Sequence, residues 1–220
     1  MAPEDTFPCR LVTWNEIDCW TENVVKKIAK AAFKPDTVIA LIRGGLVPAR
    51  LICDHLALKN LFAVKVEHWG ITAQPDMKAK LIQGVGVDLS GQKVLVVDDI
   101  TDTGESMALS IEHLRSRNPK ELKSASLLYI THSKFEPDFY DVLVPKEKWA
   151  WFIFPWNLHE DIRTLVLKTI ETPKDSRDVA DHLKAQFQIV FDQDKVEEAL
   201  LELKSCGQVF FRDGKWCKAK

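Results

Sequence analysis

Residues 94–106 read VLVVDDITDTGES. Val94-Leu95-Val96-Val97 runs apolar without alternation, which marks a strand buried on both faces, as in parallel α/β sheets rather than half-exposed antiparallel ones. Asp98 and Asp99 follow at its carboxyl end, the edge where open α/β sheets bind ligands between loops and helix N-termini. Gly104 permits a tight turn, and Met107, Ile111 and Leu114 have the apolar spacing of an amphipathic helix, so the loop opens a helix. A helix start beside Thr103 and Ser106 offers backbone N–H groups and hydroxyls that suit a phosphate. Asp98, Asp99 and Asp102 would repel a phosphate, so they are expected to face sugar hydroxyls, a divalent cation, or a base that must lose or share a proton.

Working outward, Thr37-Val38-Ile39-Ala40-Leu41-Ile42 is a second fully apolar strand, and it ends in Arg43-Gly44-Gly45. Helices are expected over 14–33, 46–58 and 158–172, and strands over 61–66, 93–97, 122–130 and 149–154. Strands alternating with helices imply βαβ units and a mostly parallel sheet with right-handed crossovers. Residues 67–92 lack clear periodicity and contain Gly70, Pro75, Gly84, Gly86 and Gly91; so long a segment is expected to be a flap that orders over a ligand.

The chain has 220 residues, 46% of them hydrophobic, enough for one α/β domain with length left over. A formal charge of −2 gives no reason to expect a general nucleic-acid binder. Cys9, Cys19, Cys53, Cys206 and Cys217 are an odd, scattered set without metal-ligand spacing, expected to be reduced thiols. The acidic, Pro-containing start is unlike a signal peptide and no apolar run approaches a membrane span, so a cytoplasmic location is expected.

Pro173-Lys174-Asp175-Ser176 marks an expected boundary, with a main domain over 1–172 and an appendage over 173–220. The appendage pattern is a helix over 178–187, a helix over 194–205, and a hairpin turning at Asp213-Gly214. Helix, helix and hairpin resembles a winged helix. Residues 174–220 hold nine Lys/Arg and nine Asp/Glu, a balance that argues against nucleic acid and for a packing or lid role.

The opening segment resembles the phosphoribosyl-pyrophosphate (PRPP) motif of type I phosphoribosyltransferases: apolar strand, two acids, two further residues, then Asp-Thr-Gly and a small hydroxyl residue. Residues 42–49, Ile-Arg-Gly-Gly-Leu-Val-Pro-Ala, look like that family's pyrophosphate loop, and Val12-Thr13-Trp14 points to its purine branch. The match covers about residues 10 to 160, with two motifs in the right order at two strand ends. The resemblance implies an α/β type I phosphoribosyltransferase fold and a purine salvage enzyme. Asp98 and Asp99 would hold the ribose 2′- and 3′-hydroxyls, with Mg²⁺ nearby through water or PRPP. Asp102 would face purine N7, and Asp102, Thr103, Gly104, Glu105 and Ser106 would wrap the 5′-phosphate. Arg43 and Gly44 would meet the pyrophosphate, with a cis peptide at Ile42-Arg43. Asp102 and Arg43 are thus the implied catalytic residues, and a homodimer the implied assembly. The flap departs from the family's common pattern, since Glu67-His68-Trp69 stands where many purine enzymes have Ser-Tyr.

For the base, the resemblance places Trp151 over the purine and Phe152 at its edge, within a nucleobase segment over 149–157. Where 6-oxopurine enzymes carry a Lys that donates to O6, this chain has Thr131 or His132, with Lys134 displaced. Asn157 stands where an Asp often meets the far edge of guanine or xanthine. A hydroxyl accepts from an adenine amino group, so these features favour adenine, in a layout resembling crenarchaeal-type adenine phosphoribosyltransferases built on a 6-oxopurine scaffold. A 6-oxopurine (hypoxanthine, guanine or xanthine) enzyme is the alternative, and a PRPP-sensing transcriptional regulator a further one. His68 and His132 read as polar loop residues rather than catalysts.

Overall fold

The computed structural model describes residues 6–68 and 79–219. It divides into two compact units: one is Trp14–Trp149, and the other joins the residues before 14 to those from 150 onward.

In the first unit, β2 (Thr37–Ile42), β3 (Leu61–His68), β4 (Ala79–Gln83), β5 (Lys93–Thr101), β6 (Glu121–Ile130) and β7 (Phe139–Val144) form one sheet in the order β4-β3-β2-β5-β6-β7. Strand β1 (Cys9–Leu11) belongs to the other unit. All pairings in the sheet are parallel except β3 with β4. The central strands are buried on both faces, as their unbroken apolar runs require. Ile39, Leu41, Val64, Val94 and Val96 pack with Met107, Ile111 and Leu114 of α3 (Glu105–Arg115). The alternate residues Val38, Ala40, Leu95 and Val97 are also fully buried, on the opposite face by the two-residue period of a strand. Helices α1 (Trp14–Lys30) and α2 (Leu46–His55) pack on each other and on the sheet.

Several expected bounds shift for physical reasons. Helices α1 and α2 stop short of 33 and 58 because Ala32 and Ala57 each turn left-handed at φ 54°. The N–H of Phe33 then closes on Ile28 O at 3.3 Å and that of Leu58 on Cys53 O at 2.8 Å, a Schellman-type end. Strand β5 extends through Thr101 because its ladder with β6 continues to Thr101↔Tyr129. The segment 67–92 is not structureless: β4 lies inside it, and Val85 N–H donates to His113 Nε2 of α3 at 3.2 Å. The central part of the expected flap, 69–78, lies outside the described residues. Strand β7 was not expected, its apolar run being broken by Asp141.

In the second unit, β1 pairs in parallel with β8 (Trp151–Ile153). Helices α4 (Leu158–Thr169), α5 (Ser176–Phe187) and α6 (Gln193–Ser205) precede the antiparallel hairpin of β9 (Val209–Arg212) and β10 (Lys215–Lys218). Asp175 caps α5 by accepting the Asp178 N–H at 2.8 Å. Asp213 and Gly214 both have positive φ, 51° and 76°, the type I′ turn that Asp-Gly favours. Val166, Ile170, Val179, Phe187, Leu200 and Trp216 belong to one apolar core. The chain therefore does not divide at the expected 172/173, because residues 150–172 share their core with the helices and hairpin that follow. Among the described residues no helix is long and apolar enough to cross a membrane. All five cysteines are free, and burial, with Asp161 beside it, pushes the Cys9 thiol up to about 12.

Candidate active site

A cleft opens along the end of β5, lined by residues 98–104 with Ser106 and Met107. Each of the two adjacent aspartates is held by the backbone that follows it: Asp99 N–H donates to Asp98 Oδ1 at 2.9 Å, and Ile100 N–H to Asp99 Oδ1 at 2.8 Å. Asp99 is only 6% exposed. Burial, and then the charge of Asp99, push the Asp98 carboxyl well above the usual carboxylate range.

The turn after β2 lies directly on this pair. A Cβ on Gly45 would sit 2.2 Å from Val97 O and 2.9 Å from Asp98 Cα, and one on Gly44 would sit 2.4 Å from Asp99 Oδ2. Only glycine allows that approach, so Arg43-Gly44-Gly45 and Asp98-Asp99 form one site from two strand ends. The Ile42-Arg43 peptide is cis, as expected, and Arg43 is exposed.

Beyond the aspartates, Gly104 adopts φ 82° at the start of α3, where a Cβ would meet Ser133 Oγ at 2.4 Å and Phe135 Cβ at 2.7 Å. The loop is tied down from both sides: Glu105 N–H reaches Thr103 Oγ1 at 3.4 Å, and Lys134 N–H donates to Thr103 O at 3.1 Å. The first turn of α3, with Thr103 and Ser106 beside it, presents backbone N–H groups and hydroxyls to an anion at the cleft.

Asp102 stands between this loop and the segment after β6. Its Oδ2 accepts the Trp149 indole N–H at 3.4 Å, and its Oδ1 lies 2.7 Å from His132 Nε2. Thr131 is engaged elsewhere, since its Oγ1 accepts the Lys146 backbone N–H at 2.9 Å and its own N–H donates to Val144 O at 2.9 Å. Of the two residues weighed for the O6-donor position, it is His132 that meets Asp102. Lys134 is exposed.

A model of the phosphoribosyl transferase domain matches residues 15–163. The chain belongs to that family. A xanthine-guanine phosphoribosyltransferase of Idiomarina loihiensis is 30% identical over 148 residues, which are 67% of this chain and 86% of that protein. The purine phosphoribosyltransferase of Pyrococcus horikoshii is similar in structure, with a TM-score of 0.58 and 29% identity over 67% of this chain and 93% of that one. A Neisseria gonorrhoeae protein solved with bound ppGpp has a TM-score of 0.60 and 25% identity, over 69% of this chain and 90% of that one.

The phosphoribosyl transferase match spans the whole first unit after Trp14 and both sequence motifs, and it stops before the appendage. Magnesium fits the Asp98-Asp99 pair, because two crowded carboxylates form a hard oxygen donor set that a divalent cation relieves. Trp151, Phe152 and Asn157, expected at the base, belong to the second unit. Trp151 donates its indole N–H to Asp161 Oδ1 at 3.1 Å and packs against that unit's core. Phe152 is buried beneath Arg10, whose guanidinium lies 5.6 Å from the ring centre. The Asn157 carbonyl starts α4 by accepting the Asp161 N–H at 2.9 Å. His132, weighed for the O6-donor position and read as a polar loop residue, and Trp149 are contacts of Asp102 that the sequence did not pair with it. The available signal was position: His132 lies two residues beyond a buried strand, beside the ligand edge of a parallel sheet.

Proposed function

We propose that this protein transfers the phosphoribosyl group of PRPP to a 6-oxopurine base, giving a nucleoside monophosphate and diphosphate. The observation that carries the reaction class is the contact between the Arg43-Gly44-Gly45 turn and Asp98-Asp99, which brings the leaving-group loop onto the sugar-binding carboxylates. In this assignment Asp98 and Asp99 take the ribose hydroxyls, residues 102–106 take the 5′-phosphate, and Arg43 with the Gly44 backbone takes the diphosphate. Asp98 and Asp99 would hold magnesium, which would supply positive charge to the departing diphosphate. Asp102 accepts the proton at purine N7.

The choice of base reverses the adenine preference. That preference rested on Thr131 or His132 in place of a Lys donor and on Asn157 in place of an Asp; the Thr131 oxygen accepts from the Lys146 N–H, and it is His132, whose ring can donate, that stands at Asp102. The Idiomarina relative is named for xanthine and guanine, and the Neisseria protein holds ppGpp, a guanine nucleotide. The winged-helix-like appendage carries acidic residues along α6 (Asp194, Glu197, Glu198 and Glu202), which favours no nucleic-acid partner.

Incubation with PRPP and Mg²⁺ and, separately, adenine, hypoxanthine, guanine and xanthine, with chromatography of nucleotide and diphosphate, tests this. IMP, GMP or XMP is the expected product. AMP alone would restore adenine, and no nucleotide from any base would refute the transferase assignment.

A further inference from the structure

We propose that His132, with Trp149 opposite it, is a positioning residue for Asp102, holding the carboxylate in the orientation that takes the N7 proton; this rests on the cleft being a purine phosphoribosyltransferase site. Three elements converge on one carboxylate. Asp102 comes from the loop between β5 and α3, His132 from the turn after β6, and Trp149 from the end of the 3₁₀ turn Lys146–Lys148. The indole N–H meets Oδ2 at 3.4 Å and the imidazole Nε2 stands 2.7 Å from Oδ1. A carboxylate oxygen and an unprotonated ring nitrogen at that separation would repel, so the nitrogen facing Oδ1 carries a proton. The contact is not aligned, however: Oδ1 is shut off from solvent and receives no hydrogen bond of good geometry. With the imidazole against Oδ1, the remaining face of the carboxylate, a side chain 38% exposed, is the part open to a purine N7–H at the cleft.

The chemistry of the transfer explains why the carboxylate must be held. As purine N9 attacks C1′, its lone pair becomes the N9–C1′ bond, while the C1′–O bond breaks and its electron pair leaves with diphosphate. The base is then cationic until N7 releases its proton, the N7–H electron pair returning to the purine ring and the proton passing to the Asp102 carboxylate. Neither the imidazole nor the indole changes its own proton count in this step. They keep the carboxylate turned toward N7 by flanking it from both ends. A freely turning carboxylate would offer the wrong lone pair for much of the time, and misplacement of a reacting group is felt in kcat rather than in PRPP affinity.

The experiment compares wild type, His132→Gln, His132→Leu and Trp149→Phe. Steady-state kinetics are run with the preferred purine and with its 8-aza analogue, whose ring N–H is more acidic, and PRPP binding is measured by calorimetry in the absence of base. His132→Leu is expected to lower kcat roughly tenfold to a hundredfold, with PRPP affinity within about twofold. Gln, whose amide N–H reaches where Nε2 stood, is expected to recover most of that loss. The 8-aza base, which needs less help in losing its proton, is expected to suffer less from Leu than its parent does. A His132→Leu kcat within about threefold of wild type overturns the inference, as does a Gln variant as slow as Leu or a loss equal for both bases. If wild type prefers adenine, the comparison proceeds with adenine and its 8-aza analogue, since N7 is common to all purines. A wild type that makes nucleotide from no base overturns the transferase assignment and this inference together.

Discussion

Two regions meet at Asp102, and they hold the site by different means. Residues 98–106 work through backbone: N–H groups that cap Asp98 and Asp99, a glycine at positive φ, and the first turn of α3. Residues 131–149 reach the same carboxylate with two side chains, each mounted on its own turn. Backbone cradles demand glycine and small hydroxyl residues at fixed spacing, because dihedrals and close approach leave few alternatives. A side chain reaching in from a turn leaves its neighbours unconstrained. The difference predicts that substitutions in the first region, the Asp102 side chain apart, abolish binding or folding, while those in the second change rate.

The largest expected effect lies at the point of contact. Asp102→Asn keeps the size of the side chain but removes its basicity, and kcat is expected to fall on the order of 10²- to 10³-fold while PRPP still binds. Pre-steady-state product formation together with calorimetric PRPP titration measures both. A variant that lost PRPP affinity as severely as kcat would place Asp102 with the backbone cradle and erase the contrast.

Gly45→Ala sharpens the contrast from the other side. Its methyl would lie 2.2 Å from Val97 O and 2.8 Å from Leu41 O, both backbone atoms of central strands. The sheet must move or the turn must lift, and a loss of about 3 kcal/mol is expected together with loss of PRPP binding. Gly86→Ala is the control: nothing lies within 4 Å of its Cβ position. That variant is expected to match wild type in thermal unfolding within about 1 kcal/mol.

The same division between local and assembled features decides what could be read from the sequence. The run at residues 94–97 announced a buried parallel strand, and Asp98-Asp99 with Thr103-Gly104 announced a ligand loop, since each depends on local chemistry alone. Strands β4 and β7 escaped because pairing on sheet edges made them: β4 is a half-exposed run closing on β3, and β7 interrupts its apolar residues with Asp141, whose side chain accepts from Asn23 at 3.2 Å. The 172/173 boundary was read from Pro173 and its neighbours, but a core is defined by which faces are buried together, and α4 buries its face with α5 and α6. The pairing of His132 with Asp102 escaped because histidines in turns are common and nothing local distinguishes one that faces a carboxylate 30 residues earlier in the chain.

Asp98→Asn separates stability from binding. Burial, and then Asp99, raise the Asp98 pKa in the folded protein, so between the ordinary carboxylate range and the raised value the folded state binds more protons than the unfolded one. Stability therefore falls as pH rises through that window, and ionising the pair costs the ligand-free protein stability. Asparagine removes that cost. The variant is expected to melt a few degrees higher than wild type at neutral pH and to lose the advantage in acid, while its PRPP and Mg²⁺ binding collapses. Melting curves across pH without ligand, paired with calorimetry, check both halves; a lower Tm at neutral pH would mean that the Asp99 N–H contact outweighs the repulsion.

The smallest effect is the one that isolates His132 from its neighbour. Thr131 and His132 are adjacent at the end of β6, but the Thr131 hydroxyl supports the turn by accepting the Lys146 N–H. Thr131→Val keeps the shape and removes that acceptor, leaving a partly solvated N–H, so a loss of about 1 kcal/mol in unfolding free energy is expected. Because Lys146–Lys148 is the turn that leads to Trp149, a slight loosening would be felt at Asp102 only indirectly, and kcat is expected to stay within about threefold for every base. A change in the ranking of adenine against hypoxanthine in this variant would return the base edge to Thr131, and the rate-setting role on this side of the cleft would then belong to the hydroxyl rather than to the imidazole.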